Sequence, residues 1–492
     1  MDSDNIRSIV EEVLQKLQES GAVKPASAPP PGQASSPQKP AAKIPSSVKA
    51  GAGVYPDADS AIEAAHEAYL KLSKQGLAGR EKVIQVVKKM CRDRAEEWGK
   101  LEFAETKIGL LPHKIEKLLG IQNLPGTEWL SPHGMSGDHG ITLEENCPFG
   151  VIGAITPVTH SIPTLACNIV SMVAAGNTVV FNAHPGGAKC AAVAVKAFNE
   201  AIKREVGIEN IATIIETPSL ESFSAICAHP KVRLLCVTGG PGIVNAAMKS
   251  GKRAICAGPG NPPVVVDETA DLKKAAEAII FGGGYDNNLL CIGEKEVFVV
   301  KSVYKEFLRQ FEAAGAKKLT NAQLEQLTQA AFTFKGDGGG CSHPVLNRAL
   351  VGADASKLAE IAGTRVAANC PMLYAETDAE HLFVIEEQMM PMMPIIPVDD
   401  VDQGIAMAKV AEHGYKHSSM IHSLNVINMT KMGRALESTV FIKNGSCMAG
   451  LGAGGEGYAS FSIATTTGEG ITTPDTFTRK RRCVLVDSLS MI

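Results

Sequence analysis

Apolar and polar positions divide the chain into three regimes. Over residues 1–20, Ile6, Ile9, Val10, Val13, Leu14 and Leu17 recur at helical spacing and form one apolar stripe. Ser3 or Asp4 is placed to cap this helix, and Gly21 to end it. Residues 21–47 lose all periodicity. They are rich in Pro, Ala and Ser and predict an extended linker with no core of its own. A lone helix of this length is marginal in water, so its stripe needs a partner. It folds back on its own body, pairs within an oligomer, or docks as a detachable peptide in a groove. The long linker favours docking.

From Tyr55 onward the pattern alternates. "DADSAIEAAHEAYLKLSKQ" and the stretch from Glu81 to Glu105 carry amphipathic helical spacing. "GVIGAITPVTHSIPT" begins as a continuous apolar strand and runs into a Pro-punctuated loop. "TLACNIVSMVAAG" predicts a helix and "NTVVFNAH" a strand, and the alternation continues through "VRLLCVTGG" and "PGIVNAAMKSG". A second set runs from "PVVVDETADLKKAAEAII" to about residue 445. Alternating strands and helices of this kind predict doubly wound α/β architecture with parallel sheets.

Composition narrows the class. Among 492 residues, 45% are hydrophobic and 20% charged, with a net charge of −4. Those values fit a soluble enzyme and give no electrostatic footprint for nucleic acid or a membrane surface. The twelve cysteines are scattered, without C-x-x-C pairs or Cys/His clusters at metal spacing, so no metal site is expected. The acidic start, with Asp2 and Asp4, is unlike a secretory signal. No run approaches the roughly 18 apolar residues of a membrane span. A reducing cytosol with mostly free thiols is expected.

Two segments carry candidate chemistry. In "VTGGPGIVNAAM", Thr238, Gly239, Gly240, Pro241 and Gly242 lie between a strand and a helix, where glycines permit close backbone approach by an anion or flat cofactor. The segment does not meet G-x-G-x-x-G, and glycines also end strands for structural reasons. In "DNNLLCIGEK", Cys291 falls in a loop between a helix and a strand, after Gly282, Gly283 and Gly284. A thiol there is either a nucleophile flanked by backbone N–H groups or a half-buried inert cysteine.

The ordered segments "CPFGVIGAITP", "AAGNTVVF", "HPGGAK", "VTGGPGIV", "GPGNPPVVVDETAD", "DNNLLCIGEK", "EEQMMPMMPIIPV", "KHSSMIHS", "GEGYASFSIATTTGEG" and "TRKRRCVLV" decide more than either alone. From about residue 50 to the end, the chain resembles the aldehyde dehydrogenase superfamily. In particular it is similar to the CoA-acylating acetaldehyde and propionaldehyde dehydrogenases of bacterial microcompartments. The resemblance implies a nucleotide-binding α/β domain (48–136 and 157–263), an α/β catalytic domain (264–445) and a β oligomerisation arm (137–156 and 470–492). The terminal helix resembles an encapsulation peptide that engages a shell protein, which implies the bacterial cytoplasm and the microcompartment lumen. A homo-oligomer, dimer or tetramer, is implied as well.

The resemblance also implies roles for residues. Cys291 would attack a short aldehyde, NAD⁺ would take the hydride, and coenzyme A would collect the acyl group from the cysteine. Thr156, Pro157, His184 and Pro185, with Thr238–Gly242, would border the cofactor, and Glu387 would hold its nicotinamide ribose. Hydrolytic relatives carry a deacylating Glu in an E-L-G-G-K segment; the matching residue is Ala257, in "ICAGPGNPP". Without that base, water should be a poor acceptor, and a thiol takes its place. The oxyanion-binding Asn of hydrolytic relatives matches Thr159, and many acylating relatives have Asn where this chain has His160. These two either donate hydrogen bonds or shape the pocket, alongside the Cys291 backbone N–H. The ribose-binding Lys and Glu of hydrolytic relatives match Asn182 and Pro185, so those contacts do not carry over.

His413, His417 and His422 are candidate bases by their intrinsic pKa but fit structural roles better. The basic run at 479–482 fits the solvated face of a strand. The rivals to the acylating reading are a hydrolytic aldehyde dehydrogenase, disfavoured by Ala257, and a non-catalytic cargo protein, disfavoured by the intact Cys291 segment.

Overall fold

Two parallel sheets carry the alternation read from the sequence. The computed structural model describes residues 52–336 and 342–490. The helix expected at 1–20 and the linker at 21–47 lie outside the described residues.

The first sheet has six strands in the order Val54–Tyr55, Ala212–Ile215, Thr178–Ala183, Val151–Thr156, Val232–Thr238 and Arg253–Ala257. Every adjacent pair is parallel. Val151–Thr156 and Thr178–Ala183 are buried along their whole length, as strands covered on both faces must be. Gly153 shows how tight the cover is. A β-carbon there would lie 2.4 Å from Ile226 Cγ2 on the helix Leu220–Ala228. The helix Ser161–Ala174 is buried on all sides, which accounts for its lack of a polar stripe. The stretch Glu81–Glu105 is divided between helices Gly76–Asp93 and Ala95–Thr106, broken at Arg94.

The second sheet has seven strands, in the order Lys317–Lys318, Leu373–Glu376, Met392–Val398, Glu296–Val300, Pro263–Val266, Ser418–His422 and Val440–Lys443. All its pairings are parallel. Its core packs Val264, Val297, Ile395 and Met420 against Ile279, Phe307 and Phe311 from the covering helices.

A third, antiparallel sheet joins His133–Gly137, Gly140–Pro148 and Thr478–Val486. It lies where the resemblance implies an arm over 137–156 and 470–492. The sheet starts at His133, and Val151–Thr156 belongs to the first sheet, as the strand from which its order reverses. Gly150, at φ +119°, marks the turn between them. The physical cue is burial: the arm strand Gly140–Pro148 is mostly half-exposed, whereas the next strand is wholly buried. On the C-terminal side the return strand begins at Thr478, after the short helix Pro474–Phe477. Arg479–Arg482 are exposed along it, and Arg482 pairs with Glu144 across the strands.

Among the described residues, no helix is long and apolar enough to cross a membrane, and no cluster of His, Cys, Asp and Glu is grouped to hold a metal.

Candidate active site

The carboxyl ends of the first sheet's strands open onto a cavity of about 980 Å³. Thr156, His184, Thr238 and Ala257 end or directly follow four neighbouring strands, and all four line it. The chain leaves Val151–Thr156 toward one edge of the sheet and later returns at Val232–Thr238 on its other side. That reversal opens the crevice where ligands of parallel α/β sheets bind.

Cys291, Thr159, His160 and the ten residues expected to border or hold the cofactor line this one cavity, whereas His413, His417 and His422 do not. Pro157, Thr159 and His160 continue from the strand end at Thr156, and Pro185 follows His184. Gly239, Gly240, Pro241 and Gly242 form the turn into the helix Pro241–Met248. A β-carbon added at Gly240 or Gly242 would meet nothing within 4 Å, so these two backbones face open space. His184 Nδ1 accepts the Gly186 N–H at 3.0 Å and shapes the "HPGG" turn. Asn182 is turned to its neighbours, accepting from the Ser222 hydroxyl at 2.6 Å. Glycine space, two buried polar atoms without partners (Thr156 Oγ1 and His160 Nδ1) and the strand ends together fit a dinucleotide or a CoA-type ligand.

Cys291 approaches from the second sheet, between the helix Leu272–Gly284 and the strand Glu296–Val300. Asp286, Asn287 and Asn288 lie before it with φ of 50°, 57° and 63°. Asp and Asn are the side chains that best tolerate this left-handed region, and each is held in place. Asn287 Nδ2 donates to Gly352 O at 3.0 Å and to Asp354 Oδ1 at 2.8 Å. Asn288 Nδ2 donates to Gly283 O and Glu294 O, both at 2.8 Å. The buried Lys295 ammonium donates to Asn288 O at 3.0 Å and Leu290 O at 3.2 Å, tying down the residue before the cysteine.

The electrostatics answer what the sequence left open about the thiol. Burial pushes the Cys291 thiol up to about 12, and the Glu387 carboxylate pushes the same way. Lys295 and the backbone N–H groups of Cys291 and Ile292 work against that. The resting thiol therefore keeps its proton at neutral pH and needs a base. Burial also pushes Glu387 up to about 7, opposed by Lys295 and by the Gly260 N–H that its carboxylate accepts. Gly260 is packed between the parts: a β-carbon there would lie 2.7 Å from Cys291 O and 2.9 Å from the His417 ring.

His160 is buried, and its pKa lies well below the ordinary value, first through burial and then through Lys117 and Lys114. Burial thus favours the neutral ring, whose Nδ1 is buried without a partner. His417 and His422 are buried and pushed down to about 4 by desolvation, so neither titrates near neutrality. His413 is exposed and bonds the Ile385 carbonyl at 2.7 Å. Ala257 is 5% exposed and part of the cavity wall. The carboxylates among the described lining residues are Glu116 and Glu387.

Sequence reasoning missed a buried ionic cluster behind this site. Lys114 and Lys117 sit on the buried face of the helix Leu111–Leu119 and meet Asp286 and Glu102. The signal available was "DNN", whose residue types suit a left-handed turn, and two lysines three apart beside Leu118. Arg348, also unforeseen, lines the cavity near His184.

Two parallel sheets, a strand-end crevice and a thiol between them define a class of nucleotide-dependent enzymes with a cysteine at the centre. The chain belongs to the aldehyde dehydrogenase family, whose pattern matches residues 39–464. It is 40% identical over 442 residues to acetaldehyde dehydrogenase (acetylating) EutE of Salmonella typhimurium, covering 89% of this chain and 94% of that one. The propionaldehyde dehydrogenase of the Clostridium phytofermentans fucose utilisation bacterial microcompartment superposes with a TM-score of 0.86 at 42% identity. It covers 90% of this chain and 100% of that structure. The Rhodopseudomonas palustris propionaldehyde dehydrogenase, solved with bound CoA and an acylated cysteine, gives 0.86 at 40% identity, again over 90% and 100%.

Proposed function

We propose that this chain is an NAD⁺-dependent, CoA-acylating aldehyde dehydrogenase for short aldehydes such as acetaldehyde or propionaldehyde. The observation that carries the reading is Ala257 in the cavity wall: the position that bears a water-activating Glu in hydrolytic relatives has no ionisable group.

Cys291 is the nucleophile and Glu387 the acceptor of its proton. A carboxyl pushed up to about 7 takes and returns a proton in the neutral range. Glu387 is thus read as a proton carrier, in addition to the ribose contact expected from the resemblance. The sulfur adds to the aldehyde carbon, and the carbonyl oxygen becomes an oxyanion beside the Cys291 backbone N–H. Thr159 and the neutral His160 border the same space. The strand ends from Thr156 to Thr238, with Gly239–Gly242, would hold NAD⁺, which would accept the hydride from the aldehyde carbon. The acyl group is left as a thioester on Cys291. CoA, its thiol proton lost to solvent, would then add through sulfur to the thioester carbon, and the C–S bond to Cys291 would break. Acyl-CoA leaves, and the thiolate regains its proton from Glu387.

The test is NADH formation from acetaldehyde and from propionaldehyde, with and without CoA. Turnover that depends on CoA, with acyl-CoA as product, is expected. Equal turnover without CoA, yielding free acid, would return the chain to the hydrolytic class.

The likeness to microcompartment enzymes and the apolar stripe at 1–20 support a further reading. Residues 1–20 carry the enzyme to a shell protein and into a microcompartment lumen, and the antiparallel arm pairs subunits in a homo-oligomer. Exposed Val484, Leu485 and Val486 on the arm's return strand support that pairing. A fluorescent protein fused to residues 1–20 should gather in shells; diffuse fluorescence in shell-producing cells counts against targeting.

A further inference from the structure

The buried cluster behind the site touches both of its walls. Lys114, Lys117, Asp286 and Glu102 are each no more than 4% exposed. The Lys114 ammonium donates to the Thr159 carbonyl, on the loop that brings Thr159 and His160 to the cavity. The same ammonium lies 3.4 Å from Asp286 Oδ2 and 3.3 Å from Glu102 Oε1. Asp286 opens the turn that leads to Cys291. It also pairs with Lys117 and accepts the Leu110 N–H at 2.7 Å, and its own N–H donates to His113 Nδ1 at 2.8 Å. Glu102 Oε2 accepts the Ile162 N–H at 2.9 Å, in the first turn of the helix Ser161–Ala174 that follows His160.

One ammonium is therefore bonded to the loop of Thr159 and His160 and to the loop of Cys291. We propose that Lys114 and Asp286 are positioning residues: a buried ionic clasp that fixes the gap between the Cys291 sulfur and the Thr159–His160 loop. Neither group is assigned a direct contact with the reacting atoms. The left-handed run at 286–288 is unfavourable for an isolated chain and persists because its surroundings over-determine it. Separating the loops strands charges with no access to water, which sets the gap more stiffly than apolar packing does. Attack on a carbonyl depends on that gap, since displacement by about 1 Å costs roughly 10²-fold in rate.

The clasp rests on the reading of Cys291 as the nucleophile. Activity retained by Cys291→Ala would bring down that reading, whereas the clasp stands or falls on variants of its own. Asp286→Asn keeps the shape and the left-handed tolerance but removes the charge. Lys114→Gln keeps a donor for Thr159 O but removes the ammonium. In the full-length enzyme each should lower kcat about 30- to 100-fold, with KM for NAD⁺ and aldehyde changed less than about 3-fold. The double variant should be no slower than the slower single one, because both break one unit. Folded variants with unchanged kcat, losses confined to KM for NAD⁺, or losses that multiply in the double variant would each overturn the proposal. If Asp286→Asn does not fold, Lys114→Gln and Glu102→Gln are judged by the same criteria. Failure of all three to fold would make the cluster purely architectural and also overturn it.

Discussion

The two walls of the cavity are built by opposite means. The wall from the first sheet is glycine, proline and small side chains at strand ends, with open space beside Gly240 and Gly242. The wall around Cys291 is dense and ionic, with Lys295 bonded to the turn before it and Lys114, Lys117 and Asp286 behind it, all buried. The difference reflects two tasks. A ligand that must enter and leave needs room and backbone donors. A reacting sulfur needs a fixed position and a tuned proton, and buried charges supply both. This suits chemistry in which NAD⁺ and CoA act in turn.

Changes to the ionic wall should therefore strike kcat, and changes to the glycine wall should strike KM. The largest effect is expected from Cys291→Ala, which should reduce NADH formation by at least about 10⁴-fold while leaving NAD⁺ binding intact by fluorescence titration. Retained turnover would remove the nucleophile from the proposed scheme. Next in size, Glu387→Gln should lower kcat about 10²-fold. It should also erase a pH dependence. With Glu387 as the proposed proton acceptor, wild-type acylation should need its ionised form and rise as pH passes about 7. A pH–rate profile of Glu387→Gln with the same inflection would assign the proton to another group. The smallest effect belongs to the glycine wall. Gly240→Ala is free of clashes with protein, so stability should be unchanged, but the methyl projects into space meant for ligand. KM for NAD⁺ should rise about 10-fold with kcat nearly constant. A kcat loss larger than the KM change would blur the division between the walls.

Much of the site was legible because several of its residues sit where the chain changes from strand to loop. Apolar runs ending in "TP", "AHP" and "TGG" locate strand ends, and parallel strands put those ends on one side. The sheet membership of Val151–Thr156 was less legible for a related reason. "GVIGAIT" reads as an apolar strand wherever it lies, and only sheet pairing shows that Val151–Thr156 sits between Thr178–Ala183 and Val232–Thr238. The division of Glu81–Glu105 at Arg94 left no proline or glycine to announce it.

By itself, the sequence determined the α/β class, the segment holding the thiol, and the absence of a carboxylate at position 257. These follow from local periodicity and from residue identity, which a linear pattern records. Tertiary structure alone decided the protonation of that site. Glu387 and Cys291 are pushed up because folding buries them, against the opposing pull of Lys295, and His160 is pushed down first by burial and then by Lys117 and Lys114. Burial and through-space charge depend on which residues meet from distant parts of the chain. The meeting of Lys114 with Asp286, 3.4 Å apart in space and far apart in sequence, is of that kind.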